Sequence, residues 1–296
     1  MMSVTSRTPF AREPAPGLPR VGVLVERRYL SQAQPGGMIA ALRARDCRVR
    51  VIDPQAHAVR LGEDGWLAGL DLVVARGRSW SVLCMLAWAE ARDIPTINRR
   101  AAIGAVHNKA EMALALESAG VPMPRTFLGS PSALGGRLHD GRSKPLVLKP
   151  TFGDNGDGLR LVSQPSELRD VEWPEAVALA QELVPGPGTE RKLYGIGDEV
   201  WAVERPARFA PSADASPAVP AAAAGGPATA AETGLARYCR RIFGLELFGL
   251  DCIPAAGGPV VIEVNDFPNY TGVPDASERL AEFVIAHAQR RAETCA

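Results

Sequence analysis

Lysine is scarce in this chain. Of 33 Lys and Arg residues only Lys109, Lys144, Lys149 and Lys192 are lysine. A sequence that otherwise uses arginine wants a compact, rotatable ammonium at those positions. Cysteine is sparse as well: Cys47, Cys84, Cys239, Cys252 and Cys295 are odd in number, scattered, and without C-x-x-C spacing. That argues against a disulfide framework and a zinc site, and fits reduced thiols in a cytoplasmic protein. The four histidines, His57, His107, His139 and His287, form no ligand-like cluster and read as surface or capping residues. Net charge is +0, so nothing suggests a broad nucleic-acid footprint. No apolar run approaches the ~20 residues of a membrane span. Residues 1–19 mix Arg, Pro and Ser without an apolar core, which argues against a secretory signal and predicts a disordered leader. No G-x-G-x-x-G follows the first predicted strand and no G-x-x-x-x-G-K-[ST] occurs, which disfavours a dinucleotide fold and a P-loop NTPase.

What is present centres on residues 145–162, PLVLKPTFGDNGDGLRLV. An apolar strand ends in Lys149, a polar turn carries Gly153, Gly156 and Gly158, and a second strand follows. The Asn155-Gly156 and Asp157-Gly158 pairs suit a tight hairpin, because glycine accepts positive φ cheaply. Such a turn exposes backbone N–H groups that can lie over phosphates, and a lysine at the strand end can reach the same phosphates. An ordinary surface hairpin is the plain alternative.

Upstream, strands are predicted at 20–26, 47–52, 70–75 and 96–98, with helices at 36–45 and 80–91. This alternation predicts a parallel α/β unit over 20–105. Arg76 and Arg78 follow the third strand, at the carboxyl end where such sheets bind ligands, and could hold a carboxylate or phosphate there or sit on a solvated turn. Residues 108–120 read as an amphipathic helix, 121–127 as an extended linker, and 166–168 and 175–178 as short helices. Further strands are expected at 180–184, 192–196, 199–204, 245–253 and 259–265, and helices at 232–243 and 278–291. Residues 210–231, rich in Ala, Pro, Ser and Gly, read as a flexible insertion.

Four blocks in this order resemble the ATP-grasp superfamily: NKAEMALALESAGVPMPRT, PLVLKPTFGDNGDGL, QELVPGPGTERKLYGIGDEVWAVER and LFGLDCI…VVIEVNDFPNY. The resemblance covers 108 to about 283. It implies an α/β and α+β architecture: a preceding α/β domain at 20–105, a central subdomain with the glycine hairpin at 106–179, and a C-terminal subdomain at 180–292 carrying the insertion. It implies ATP between the two halves, with Lys109 and Lys149 on its phosphates and Gly153, Gly156 and Gly158 closing over them. Glu182, Leu183 and Val184 would meet adenine through backbone groups, and Glu190 the ribose hydroxyls, since a carboxylate accepts two O–H bonds. Asp251, Glu263 and Asn265 would hold Mg²⁺, two ions with Mn²⁺ as a substitute. Glu263 and Asn265 are one residue apart on a strand and share a face; their oxygen ligands suit a hard cation bridging phosphates.

The resemblance divides over the chemistry. The compact FGDNGDG turn, and the arginine after LDLVVA, are similar to RimK-like and glutathione-synthase-like carboxylate–amine ligases. The segment ERKLYGIGDEVWAVERP, with Lys192 where ligases place arginine, and NDFPNYTGVP are similar to the ATP-grasp inositol-trisphosphate kinases. Pro185-Gly186-Pro187 replaces the histidine those kinases carry, and the cations look thin for several phosphates. The ligase is the favoured reading, the kinase the alternative, and a non-catalytic ATP-binding protein the third. In either enzyme Lys192 and Arg205 would stabilise the transferred phosphoryl group, with Arg76 and Arg78 toward a small-molecule or peptide substrate. No nucleic acid or membrane partner is expected; a homo-oligomer is allowed.

Overall fold

The computed structural model describes residues 18–56, 58–138, 144–153, 156–209 and 225–295. The expected leader lies outside them except for its last two residues, as do positions 154 and 155 of the glycine turn and positions 210–224 of the expected insertion.

The first sheet is parallel, in order β2-β1-β3-β4, from β1 (Arg20–Val25), β2 (Arg48–Ile52), β3 (Leu72–Arg76) and β4 (Thr96–Ile97). β1 and β3 are apolar and buried, as strands covered on both faces must be. The helices α1 (Ala33–Ala44), α2 (Trp80–Glu90) and α3 (Arg100–His107) follow β1, β3 and β4. Sequence patterning did not anticipate α3, which crosses the expected boundary at 105/106. Its Ile103 packs with β3 and α2, while Ala102 and Val106 join the core around α4 (Lys109–Ser118). Asn108 caps α4 by accepting from the N–H groups of Ala110 (2.9 Å) and Glu111 (3.3 Å).

The second sheet is antiparallel, in order β5-β8-β6-β7, from β5 (Thr126–Gly129), β6 (Leu146–Lys149), β7 (Arg160–Val162) and β8 (Ala178–Glu182). A short α5 (Pro131–Arg137), capped by Ser130, covers it. Two expectations are corrected here. The extended linker ends in strand β5, whose Thr126–Gly129 pair with β8. The helix expected at 175–178 is absent: Ala178 pairs with Gly129 as the start of β8, and sheet pairing overrides the local helical pattern.

The third sheet is antiparallel, in order β11-β10-β9-β12-β13: β9 (Thr189–Ile196), β10 (Glu199–Pro206), β11 (Gly226–Pro227), β12 (Leu247–Ala255) and β13 (Gly258–Asp266). Here the reading of 210–231 as flexible is corrected for 225–231. β11 pairs with Trp201 and Ala202, and the Gly225 N–H donates to the Gly272 carbonyl at 2.8 Å. α6 (Ala230–Phe243) then starts inside the supposed insertion. Its cap is reciprocal: Thr229 Oγ1 accepts from the Glu232 N–H (3.2 Å), and Glu232 Oε2 accepts from the Thr229 N–H (2.9 Å). Alanine-rich composition favours helix once such a cap exists. Glu232, Ala236, Cys239 and Phe243 form the buried stripe; burying a side chain such as Phe243 is worth about 1.5–3 kcal/mol. Gly244, at φ +66°, ends the helix.

The first and third sheets share one core. α7 (Ala276–Cys295) packs on α1, and Val284 and Leu280 meet Met38 and Leu42 in a cluster that also holds Val23, Tyr194 and Phe267. Gly37 permits this approach, since a Cβ there would overlap Ser277 Oγ. Arg45 ties the same helices together through Glu278 and Glu282. Among the described residues no helix is long and apolar enough to cross a membrane.

Candidate active site

A cleft of about 1040 Å³ runs between the second and third sheets and reaches the carboxyl ends of the first. Its floor is a row of charged side chains fixed by strand register. Lys192 on β9 faces Asp251 on β12, and Asp251 faces Glu263 on β13. Directly opposed residues share a sheet face, so the three converge. Lys192 Nζ lies 2.9 Å from Asp251 Oδ1, and the Lys109 ammonium, from the start of α4, pairs with Glu263. The pairing shifts register between Asp251 and Cys252, an irregularity of the kind that re-aims side chains near sites. Asn265 Nδ2 donates to Asp251 Oδ2 at 3.3 Å.

Burial sets the electrostatics. Lys149, at the end of β6, is 5% exposed. Desolvation lowers its pKa to about 8, with Glu263 opposing and Lys109 adding to the drop. Among the described residues it has no ion-pair partner. Burial alone would lower Lys192 too, but Asp251 outweighs it and leaves the ammonium raised. Burial and Asp251 push the Glu190 carboxyl upward, against Lys192, Arg205 and Arg208. Arg205 Nη2 donates to the Tyr194 hydroxyl at 2.9 Å.

The wall from the first sheet carries Arg76 and Arg78, both buried, which rules out the solvated-turn alternative. Arg76 lies over the Tyr29 ring (4.1 Å) and donates to Gln32 Oε1 (3.1 Å). Arg78 Nη2 pairs with Asp266 at 2.9 Å. Glu26 holds this loop: its Oε1 accepts from the N–H groups of Arg78 (2.6 Å) and Ser79 (2.7 Å). Gly77, at φ +144°, gives the carboxylate room, because a Cβ would come within 2.5 Å of Oε1.

Of the residues singled out from sequence, Arg76, Arg78, Lys149, Gly156, Glu182, Leu183, Val184, Glu190, Lys192, Arg205, Asp251, Glu263 and Asn265 line this one cleft. Lys109, Gly153 and Gly158 do not; Lys109 sits behind Glu263. The N–H of Glu182 donates to Arg125 and that of Leu183 to Pro145, so only the Val184 N–H lacks a backbone partner among the described residues. Sequence reading missed Glu26, Glu175 and Arg208. Glu175 Oε2 accepts from the Thr151 N–H (3.1 Å) and hydroxyl (3.0 Å) at the root of the glycine turn. Glu26 ends the apolar run of β1 and R-G-R-S (76–79) follows β3, and a carboxylate at one strand end facing N–H groups at the end of its neighbour could have been sought there; for the other two the sequence carried no signal.

The donor set fits a hard cation in part. Asp251, Glu263 and Asn265 offer only oxygen donors, and among the described residues no group of three His, Cys, Asp or Glu side chains is placed to hold a metal ion. A partial protein shell of carboxylates, completed by substrate phosphates, is the usual arrangement for Mg²⁺.

Known structures share this architecture. The chain is similar to a RimK domain ATP-grasp protein from Sphaerobacter thermophilus, with TM-score 0.68 and 21% identity over 90% of this chain and 99% of that one. It is similar to D-alanine–D-alanine ligase from Bacillus anthracis, with TM-score 0.70 and 17% identity over 94% and 99%. The chain thus has the fold of these ATP-grasp proteins. By sequence it is 29% identical over 273 residues to a protein from Stenotrophomonas maltophilia (strain K279a) named "Probable alpha-L-glutamate ligase", covering 86% of this chain and 93% of the relative. Residues 212–286 match the family described as the inositol 1,3,4-trisphosphate 5/6-kinase ATP-grasp domain.

Proposed function

We propose that this chain is an ATP- and Mg²⁺-dependent carboxylate–amine ligase, acting in the cytoplasm on an amino acid or short peptide. One observation carries the choice of chemistry. Four cations of the site are already matched by its own carboxylates: Lys109 by Glu263, Lys144 by Glu182, Lys192 by Asp251 and Arg78 by Asp266. The other cations lining the cleft among the described residues are Lys149, Arg76, Arg205 and Arg208, four side chains for both ATP and acceptor. Each phosphate monoester brings close to two charges, so an acceptor with three phosphates is poorly served, while a single carboxylate is well served. The glutamate-ligase relatives point the same way.

On this reading an acceptor carboxylate oxygen bonds to the γ-phosphorus as the bond to the ADP oxygen breaks. The amine nitrogen then bonds to the acyl carbon, phosphate leaves with the bonding pair, and the amine loses a proton. Lys149 and the Gly156 turn hold the phosphates, and Lys192 and Arg205 meet the charge of the transferred group. Glu190 binds the ribose diol, and the hinge at Val184 meets adenine. Asp251, Glu263 and Asn265 would hold Mg²⁺, in two ions replaceable by Mn²⁺, which neutralises phosphate oxygens. Arg76 meets the acceptor, and Arg78, held by Asp266, shapes that wall. The division into three units follows the same reading, with the first boundary moved past α3 to 107/108 and the second kept at 179/180.

The family match over residues 212–286 favours a second reading, a small-molecule kinase. A phosphate balance separates the two. The protein is incubated with Mg²⁺–ATP and either L-glutamate with short peptides or inositol phosphates, and ADP and free phosphate are counted. The ligase predicts equal ADP and phosphate with the amino-acid set alone; ADP without phosphate in the other set makes the protein a kinase.

A further inference from the structure

We infer that Arg208 is a positioning residue for the nucleotide phosphates, acting through the glycine turn. The inference rests on the nucleotide site proposed above and holds for ligase or kinase. Arg208 lies just beyond β10, where the Ala207 N–H donates to the Gly188 carbonyl (2.9 Å) and prolongs the hairpin toward the cleft. From there Arg208 Nη1 donates to the Gly156 carbonyl at 2.8 Å. The contact crosses from the third sheet to the turn between β6 and β7, and both residues line the cleft.

Gly156 is fitted to this contact twice. Its φ of +72° disfavours any side chain, and a Cβ would overlap the Arg208 guanidinium. A carbonyl held on one side of a turn points the neighbouring N–H groups to the other, as an anion-binding nest requires. Arg208 also acts on Glu190, lowering its carboxyl pKa against burial, so its charge is felt at the proposed ribose and phosphate positions. A guanidinium suits the task, because its planar fork holds a fixed geometry on the carbonyl and stays charged.

The test is calorimetric binding of Mg²⁺–ATP, ADP and adenosine to the full chain, for wild type, Arg208→Ala, Arg208→Lys and Gly156→Ala. Thermal melts confirm that each variant is folded. Arg208→Ala is expected to weaken Mg²⁺–ATP about tenfold and leave adenosine unchanged. Arg208→Lys, which keeps the charge and one donor, recovers part of the loss. Gly156→Ala shows the ATP defect, and in the double variant the two losses do not add. Unchanged ATP affinity in Arg208→Ala, or equal loss for ATP and adenosine, overturns the inference. A wild-type chain that binds no Mg²⁺–ATP overturns instead the function proposed above.

Discussion

Nucleotide binding should draw a proton onto Lys149, in an amount set by the burial of its ammonium. In the folded chain this lysine titrates at about 8 instead of 10.5, chiefly through desolvation. One pH unit corresponds to 1.36 kcal/mol, so keeping Lys149 charged without a phosphate costs about 3 kcal/mol. The sign follows from linkage. Between about 8 and 10.5 the unfolded chain holds the proton and the folded chain does not, so the cost fades and stability rises with pH in that window. Bound phosphates reverse the desolvation and return the pKa toward its ordinary value. Uptake on binding is then about 0.1 proton at pH 7, about 0.5 at pH 8 and about 0.9 at pH 9. The assay is titration calorimetry of Mg²⁺–ADP in buffers of different ionisation enthalpy, on wild type and Lys149→Met. The variant removes the titrating group at similar length, and the difference isolates Lys149 from other groups. A difference that stays flat from pH 7 to pH 9 would refute the reasoning.

Further outcomes follow from other contacts. Gly77→Ala sets a Cβ against Glu26 at a φ that side chains rarely adopt; we expect about 2 kcal/mol or more of lost stability in urea unfolding, and an unchanged midpoint would count against the packed loop. Glu190→Gln should erase most of the preference for ATP over 2′-deoxy-ATP, read as the ratio of kcat/KM for the two nucleotides. Lys192→Arg should keep nucleotide binding within about threefold while lowering kcat about 10²-fold; equal turnover would remove Lys192 from the chemistry.

The parts visible in the sequence are those with a local cause. The buried strands β1 and β3 announced themselves as apolar runs, and the glycine turn as a row of residues tolerant of positive φ. The metal candidates Glu263 and Asn265 could be put on one face from the period of a strand alone. What stayed hidden was register. Nothing in the sequence says that Lys192 opposes Asp251, because that pairing joins residues about 60 positions apart. Composition misled at 225–231, where alanine and glycine read as a linker but Thr229 and Glu232 form a capping box. It misled at 175–178 for the opposite reason, a helical pattern overruled by pairing with β5. Glu26 and Arg208 act through backbone groups of distant residues, and such contacts leave no motif.

The scarcity of lysine has its physical account in the same cleft. Lys144, Lys149 and Lys192 line it, and Lys109 lies directly behind Glu263. Two of the four rest on carboxylates of the metal candidate set, Lys109 on Glu263 and Lys192 on Asp251. That pairing makes it feasible to gather two half-buried acids on one sheet face, since like charges set opposite each other on a sheet are destabilising. Under the proposed function the same pairing is exchangeable, because phosphates would compete for these ammoniums once a nucleotide is seated. A lysine can swing a point charge from one anion to the next on a flexible stem and can shed its proton when stranded, as Lys149 does near pH 8. An arginine would lock onto a carboxylate with two parallel bonds and stay charged. Arginine is found where the structure needs fixity, on Asp266 from Arg78, on Glu232 from Arg191 and on the Gly156 carbonyl from Arg208. Under the proposed function, the paired Lys109 and Lys192 are the charges suited to change partner when phosphates arrive, while Arg78, Arg191 and Arg208 are those that hold the surrounding structure together.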